Sequence, residues 1–173
     1  MRTVTQAFFA TTARDLMSGE VITIPREMSV PGAAHLLRQY QISGAPVVDG
    51  DGRCIGVLSA TDFMNWVKEE HKSGTLKGHR EIMWEAWQIP ECDGEGNGCI
   101  EYYMTKDPVL VTPGVKIGEL ARMMMDAHIH RLIVVDAVNG RPVGVVSSMD
   151  ILAAVARAEL AARDDYTSGD TVH

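Results

Sequence analysis

The sequence GVLSATD, at Gly56–Asp62, recurs 88 residues later as GVVSSMD at Gly144–Asp150. Each copy ends an apolar run typical of a strand and begins a pattern typical of a helix. Each copy therefore places a serine and, three residues on, an aspartate at a strand-to-helix junction, where both side chains can face one polar ligand. The recurrence predicts a duplicated fold with two related sites.

The similarity between the two halves extends beyond this motif. Six identities occur at a spacing of 87 residues, and six more follow at a spacing of 88 after one inserted residue, where ordinary residue usage would give about three by chance. Duplication explains this pattern, and because each half is of marginal size, we expect the halves to pack on each other. The identical pairs are Met17 and Met104, Ala34 and Ala121, Ile42 and Ile129, Val47–Asp49 and Val134–Asp136, Gly52–Arg53 and Gly140–Arg141, Gly56–Val57 and Gly144–Val145, Ser59 and Ser147, and Asp62 and Asp150.

Composition and charge exclude several classes of protein. The 173 residues carry a net charge of −7 with scattered lysines and arginines, whereas nucleic-acid binding needs clustered positive charge. No stretch approaches the roughly 18 apolar residues of a membrane span, and the apolar run near the N-terminus is too short for a signal peptide. Three cysteines do not make a disulfide framework. We expect a cytoplasmic protein with neither a membrane nor a nucleic acid as partner.

Each half has the pattern strand, helix, strand, strand, helix, which predicts a mixed α+β fold. Ser29 is the expected N-cap of the first long helix. The predicted strands cover 21–24, 45–48, 54–58, 109–111, 131–135 and 142–146, and the predicted helices cover 30–40, 60–70, 117–127 and 148–162. The predicted organisation is a helical or extended lead-in over 1–14, a first repeat over 15–71, an insert over 72–99, a second repeat over 100–163 and a flexible tail over 164–173.

Six motifs, in order and at repeat spacing, resemble a tandem pair of CBS domains, also called a Bateman module. They are Asp15–Ser18 and Tyr103–Pro108 at the starts of the repeats, Ile42–Asp49 and Ile129–Asp136 within them, and the two Gly-x-x-Ser-x-x-Asp motifs. The resemblance covers about residues 10–158 without the insert. It implies two β-α-β-β-α repeats related by a pseudo-twofold axis, with the inserted segment separating them in the sequence.

The resemblance also implies a regulatory, non-catalytic module whose clefts bind AMP, ADP, ATP or S-adenosylmethionine, with no obligatory cofactor and no metal. It implies a homodimer that signals to an unidentified protein partner. In the family the motif serine and aspartate meet the ribose and phosphates, and the first strand and apolar side chains sandwich the base. The implied ligand-binding residues are Thr23, Ile24, Pro46, Ser59 and Asp62 in the first repeat, and Val111, His130, Arg131, Ser147 and Asp150 in the second.

Local structure offers competing explanations for these residues. A Ser-x-x-Asp sequence is close to a helix capping box, although capping and anion binding at a helix N-terminus are compatible. His130 and Arg131 follow the end of a helix, where cations are ordinarily explained by the macrodipole, whereas the resemblance makes them phosphate donors. Because Ser43 and Gly44 stand at the matching positions, we expect unequal sites. A structural dimerisation module with empty clefts is the alternative function.

The insert offers two further hypotheses. Trp84 and Trp87 are candidates for docking a protein partner, or they pack on their own module. Cys92 and Cys99 suggest a redox or metal response, although their spacing lacks the short separation typical of zinc ligands. No nucleophile paired with a base emerges from the repeats, so we do not expect an enzyme.

Overall fold

The computed structural model describes residues 4–73 and 99–168. The elements are, in chain order, α1 (Val4–Ala10), α2 (Ala13–Leu16), β1 (Ile24–Pro25), α3 (Val30–Gln39), β2 (Gly44–Val48), β3 (Cys54–Ser59), α4 (Ala60–Ser73), α5 (Ile100–Tyr103), β4 (Thr105–Lys106), β5 (Leu110–Val111), α6 (Ile117–Asp126), β6 (Arg131–Val135), β7 (Pro142–Ser147) and α7 (Ser148–Ser168). Among the described helices, none combines the length and apolar character needed to cross a membrane.

The chain divides into two compact units that cut across the sequence repeats. Met1–Val21 and Val109–His173 form one unit, here called the second-repeat unit, and Ile22–Pro108 forms the other, the first-repeat unit. The opening segment of the first repeat, up to Val21, therefore belongs to the second-repeat unit, and the opening segment of the second repeat, up to Pro108, belongs to the first-repeat unit. These two opening segments are called the lead-ins below. Each repeat gives its lead-in to the other unit.

The first-repeat unit contains a four-stranded sheet in the order β1-β2-β3-β4. Strand β1 pairs with β2 in parallel, and the β2–β3 and β3–β4 pairs are antiparallel. Strand β2 is almost entirely buried. Its sequence is accordingly a nearly continuous apolar run, which is typical of a strand covered on both faces. Strand β4 comes from the lead-in of the second repeat and extends this sheet at its edge.

The second-repeat unit repeats this arrangement with a three-stranded sheet in the order β5-β6-β7. Its β5–β6 pair is parallel and its β6–β7 pair antiparallel. Ser18 and Val145 exchange backbone hydrogen bonds of 3.1 and 3.3 Å where the fourth strand would lie. The register shifts between Val134 and Val135, just as it shifts between Val47 and Val48 in the first-repeat unit. The duplication inferred from the sequence is therefore present in the pairing of the strands.

The predicted mixed α+β fold of two repeats is confirmed, with differences at element ends. Strand β1 covers Ile24–Pro25, which is one residue of the strand expected over 21–24 and one residue beyond it, because only these two residues pair with β2. Helix α7 continues to Ser168, through part of the expected tail. The sequence pattern left α1 open as helical or extended and missed α2, α5 and β4, since elements of two to seven residues carry little periodicity. Ser29 caps α3 as predicted, accepting a 3.1 Å hydrogen bond from the Gly32 N–H.

A methionine at the end of each lead-in packs against the glycine of the recurrent motif. In the second-repeat unit, a Cβ on Gly144 would overlap Met17, lying 2.8 Å from its Cγ and 2.9 Å from its Cβ. In the first-repeat unit, a Cβ on Gly56 would lie 2.6 Å from the Met104 Sδ. Real Cβ atoms do not approach other atoms so closely, so the glycines make room for the methionines. The lead-ins are thereby held against β7 and β3.

Replacing Gly144 with alanine should lower the free energy of unfolding by about 1–3 kcal/mol, because the added methyl group overpacks the contact with Met17. Urea unfolding followed by circular dichroism measures this change. Gly118→Ala is the matched control, since nothing lies within 4 Å of a Cβ on Gly118, and it should raise stability by about 0.5–1 kcal/mol. An equal cost of Gly144→Ala in wild type and in Met17→Ala would contradict the proposed overlap.

Candidate ligand site

The second copy of the motif forms a helix capping box at the junction of β7 and α7. The Ser147 N–H and Oγ donate to Asp150 Oδ2 at 2.7 and 2.6 Å, and the Asp150 N–H donates to Ser147 Oγ at 3.3 Å. These bonds use one carboxylate oxygen. The other oxygen, Oδ1, accepts no hydrogen bond from the residues the structure describes. Asp150 is only partly buried, so this oxygen is the acceptor that the cap leaves available.

The first copy is more enclosed. The Ser59 N–H and Oγ donate to Asp62 Oδ2 at 2.7 and 2.8 Å, which again caps a helix. In this copy the Thr105 Oγ1 also donates to Asp62 Oδ1, at 3.4 Å. Asp62 is buried, with 8% of its surface exposed. Both carboxylate oxygens of Asp62 are therefore occupied by groups of the first-repeat unit.

A third capping box shows that this geometry does not itself require a ligand. At the start of α2 the Thr12 N–H and Oγ1 donate to Asp15 Oδ2 at 2.8 and 2.7 Å. The Thr12 side-chain bond, followed by the backbone bond, holds the pKa of Asp15 below its ordinary value of 3.8. The capping interpretation of Ser-x-x-Asp is thus confirmed for both motif copies. It accounts for Oδ2 in each copy and not for Oδ1 of Asp150.

His130 and Arg131 lie next to the second motif. The His128 backbone adopts a left-handed conformation with φ of 53° after α6, and the chain then enters β6 at Arg131. Arg131 pairs with Ser147 across the β6–β7 ladder, and the His130 carbonyl accepts a 2.9 Å hydrogen bond from the Ser148 N–H. Both basic residues are exposed. The structure therefore brings His130 and Arg131 together with Ser147 and Asp150 at one junction.

The remaining sequence-predicted residues divide into core and surface positions. Ile24 is fully buried and Val111 is nearly so, and both belong to hydrophobic cores. Their side chains are committed to packing, so only the backbone of β1 and β5 at these positions can meet a ligand. Pro46 is buried in β2 opposite Val57. Thr23 is partly exposed just before β1.

Thr105 is the residue at the site that sequence reasoning missed. Its side chain lies 43 residues away from Asp62 in the chain, and no local pattern links the two. The signal was present only in the repeat alignment, where Thr105 matches Ser18 at the spacing of 87. The Ser18 Oγ donates to the Val145 carbonyl at 3.3 Å instead of to an aspartate.

Of the cysteines behind the redox hypothesis, Cys99 is disulfide-bonded, whereas Cys54 is a free thiol. Cys54 is half-buried, and burial raises the pKa of its thiol, which suits an unreactive cysteine. Within residues 4–73 and 99–168 no cluster of three or more histidine, cysteine or acidic side chains is arranged to hold a metal ion. Trp84, Trp87 and Cys92 lie outside the described residues.

Asp150→Ala should lower the free energy of unfolding by about 0.5–2 kcal/mol without any ligand, because the Ser147 N–H loses its capping acceptor. Asp150→Asn keeps one side-chain oxygen for the cap and should cost less. Thermal and urea unfolding of the unliganded variants measure the difference. Equal stability of wild type and Asp150→Ala would contradict the capping role.

The Thr12–Asp15 cap should make part of the stability dependent on pH. The pKa of Asp15 is lowered in the folded chain, so its contribution is full above the unfolded pKa near 4 and is lost as the pH falls through the folded value. Asp15→Ala should therefore be less stable than wild type at pH 7, and the gap should narrow at pH 3. Urea unfolding at both pH values tests this, and a gap of equal size at both would refute it.

Comparison with known proteins supports the resemblance. The CBS domain family profile matches residues 13–69 and 100–157. The uncharacterized protein MJ1225 of Methanocaldococcus jannaschii is 25% identical over 139 residues, which are 80% of this chain and 41% of that protein. This chain thus spans less than half the length of that relative.

Solved structures show the same fold. CBSX2, solved in complex with AMP, aligns with a TM-score of 0.65 and 22% identity over 86% of this chain and 98% of its own. The CBS domain pair of protein MJ0100, solved with 5′-methylthioadenosine and S-adenosyl-L-methionine, aligns with a TM-score of 0.60 and 23% identity over 83% of this chain and 98% of its own. Because the family profile matches more than half of the chain, at the two repeats that carry the recurrent motif, this chain belongs to the CBS domain family as a tandem CBS pair.

Proposed function

We propose that this CBS pair is a regulatory module that binds an adenosine-containing nucleotide of the AMP, ADP or ATP class and passes its occupancy to a protein partner. The observation that carries the proposal is the Asp150 carboxylate. One of its oxygens caps α7, and the other accepts no hydrogen bond from the described residues. A ribose presents two neighbouring hydroxyl donors, for which such a carboxylate is a suitable acceptor.

The charges around Asp150 suit the phosphate of a nucleotide. The N-terminus of a helix is an anion site because its backbone N–H groups and dipole favour negative charge, and α7 runs for 21 residues. Arg131 lies opposite Ser147 in the ladder and can donate to phosphate through a planar fork. His130, also exposed, is a second donor. These groups offset the charge that Asp150 itself presents to an anion.

The adenine base would be held by backbone and apolar surface. For Ile24 and Val111 the contribution is the strand backbone, because both side chains are in the cores. Thr23 supplies a partly exposed hydroxyl beside β1, and Pro46 supplies an apolar ring in β2. This assignment of the base follows the family resemblance. The ligands of the structurally similar proteins, AMP with CBSX2 and S-adenosyl-L-methionine with MJ0100, support adenosine as the common part.

Exposed apolar side chains on α7 support a homodimer as part of this proposal. Met149, Leu152 and Leu160 lie within one stripe at helical spacing and are 67, 58 and 61% exposed. An exposed stripe of large apolar side chains on a helix marks a protein interface. Ligand occupancy would reach a partner through this assembly only to the extent that the ligand binds one arrangement better than another.

A structural dimerisation module is the second candidate function. The observation in its favour is that the three Ser/Thr-x-x-Asp boxes share one geometry, and the Thr12–Asp15 box belongs to no ligand motif. Under this alternative, both motif copies serve only to cap α4 and α7. The exposed stripe of α7 would then be the functional surface.

A thermal-shift series with AMP, ATP, S-adenosylmethionine and NADH distinguishes the two candidates. A ligand at about 100 times its Kd stabilises the native state by about 2.7 kcal/mol, so a Tm rise of several degrees is expected with at least one adenosine ligand. The double variant Asp62→Asn/Asp150→Asn keeps the capping oxygens and should lose the rise. Asp126→Asn, which removes one exposed carboxylate outside the motifs, should keep it.

Calorimetry on the same proteins supplies the direct check. Measurable binding to wild type that disappears in the double variant supports the nucleotide sensor. Absence of binding to wild type for all four compounds would reject it in favour of the structural module. Binding that survives in the double variant would also reject the proposed site.

A further inference from the structure

We infer that the two copies of the motif are not equivalent sites and that one nucleotide binds per chain. Asp150 accepts hydrogen bonds from the sugar of the ligand, whereas the hydrogen bond from Thr105 keeps Asp62 from doing so; this is called the closure of Asp62 below. This inference rests on the proposed function and adds the number and place of the bound ligands. It uses only geometry within each unit. Three differences between the copies carry it.

The first difference is hydrogen bonding at the second carboxylate oxygen. Asp62 Oδ1 accepts from the Thr105 Oγ1 at 3.4 Å, so a ribose hydroxyl would have to compete with this donor or share the oxygen with it. At the matching place in the second-repeat unit, the Ser18 Oγ donates to the Val145 carbonyl. That hydroxyl is therefore engaged by backbone and does not reach Asp150. Among residues 4–73 and 99–168, the second carboxylate oxygen accepts a hydrogen bond in the first copy and none in the second.

The second difference is exposure of the carboxylate. Asp62 is 8% exposed and stands among the few buried polar side chains of the described residues. Asp150 is only partly buried. A ligand that reached Asp62 would have to uncover it, at the cost of the Thr105 bond. A buried carboxylate that accepts hydrogen bonds at both oxygens is typical of a structural group, since a buried acceptor left without a bond would be costly.

The third difference is the residue across the ladder from the motif serine. Arg131 stands opposite Ser147, and Gly44 stands opposite Ser59. Residues directly opposite in an antiparallel pair place their Cβ atoms about 4.5–5.5 Å apart on one face. The second motif therefore has an arginine beside its serine, and the first has no side chain at that place. Ser43, which matches His130, adds no charge.

Single Asp→Asn variants separate the two copies. Asparagine keeps one oxygen for the helix cap and puts an amide NH₂ in place of the second oxygen, where it cannot accept from a ribose hydroxyl. With the nucleotide that gives the largest thermal shift, calorimetry on wild type should give one ligand per chain. Asp150→Asn should weaken binding at least tenfold, and Asp62→Asn should change it less than twofold.

Thr105→Val tests the closure itself, because valine keeps the branched shape and removes the donor. We expect a second, weaker binding event in Thr105→Val, absent in Thr105→Val/Asp62→Asn. Ser18→Ala, which removes the matching hydroxyl of the other unit, should leave a single event. Unfolding curves of the unliganded variants check that each is folded.

The outcomes distinguish this inference from the proposed function. Two ligands per wild-type chain, or an equal loss in Asp62→Asn and Asp150→Asn, would overturn the inference and leave the sensor intact. A single event in Thr105→Val would overturn the closure by Thr105. No binding of any adenosine compound to wild type would overturn the sensor and the inference together.

Discussion

The packing of a methionine from each lead-in against a motif glycine is the contact on which the rest of the structure depends. Met17 and Met104 occupy the space that side chains at Gly144 and Gly56 would fill, and this close approach brings Ala13 and Ile100 to fully buried positions. Each unit then has a core built from one repeat and the lead-in of the other. Neither repeat can complete its core from its own consecutive residues, which agrees with the marginal size of such a half.

The recurrent motif combines a structural task with an optional binding task. The serine and one aspartate oxygen cap a helix, and this use alone explains why both copies have a hydroxyl and an acid at that spacing. Under the proposed function, binding uses the second oxygen, and residues outside the motif differ at that place, with Thr105 bonded to the aspartate in one unit and Ser18 bonded to backbone in the other. The motif therefore identifies a place where a site can be built, and its surroundings decide whether one is.

The repeat, the order of its strands and helices along the chain, and most long elements could be predicted from the sequence. Apolar periodicity and paired identities at spacings of 87 and 88 are strong signals. The N-cap of α3 at Ser29 could also be predicted from the sequence. The exchange of lead-ins was not, since α2 and α5 are four-residue helices with one buried residue each. The candidate site was predicted as a set of residues. The burial of Ile24 and Val111, and the contact of Thr105 with Asp62, arise from tertiary packing that local patterns do not encode.

The exchanged lead-ins also bear on the ancestry of the duplication. A half-length ancestor with one repeat would have buried its lead-in only on a second copy, as an obligate homodimer with two identical sites. Fusion of two copies into one chain replaces that association by an intramolecular one with a high effective concentration. Fusion also removes the requirement that the halves remain identical. Gly44 and Arg131, which occupy matching positions, differ in this way, so a symmetric ancestral pair becomes a chain whose halves can diverge.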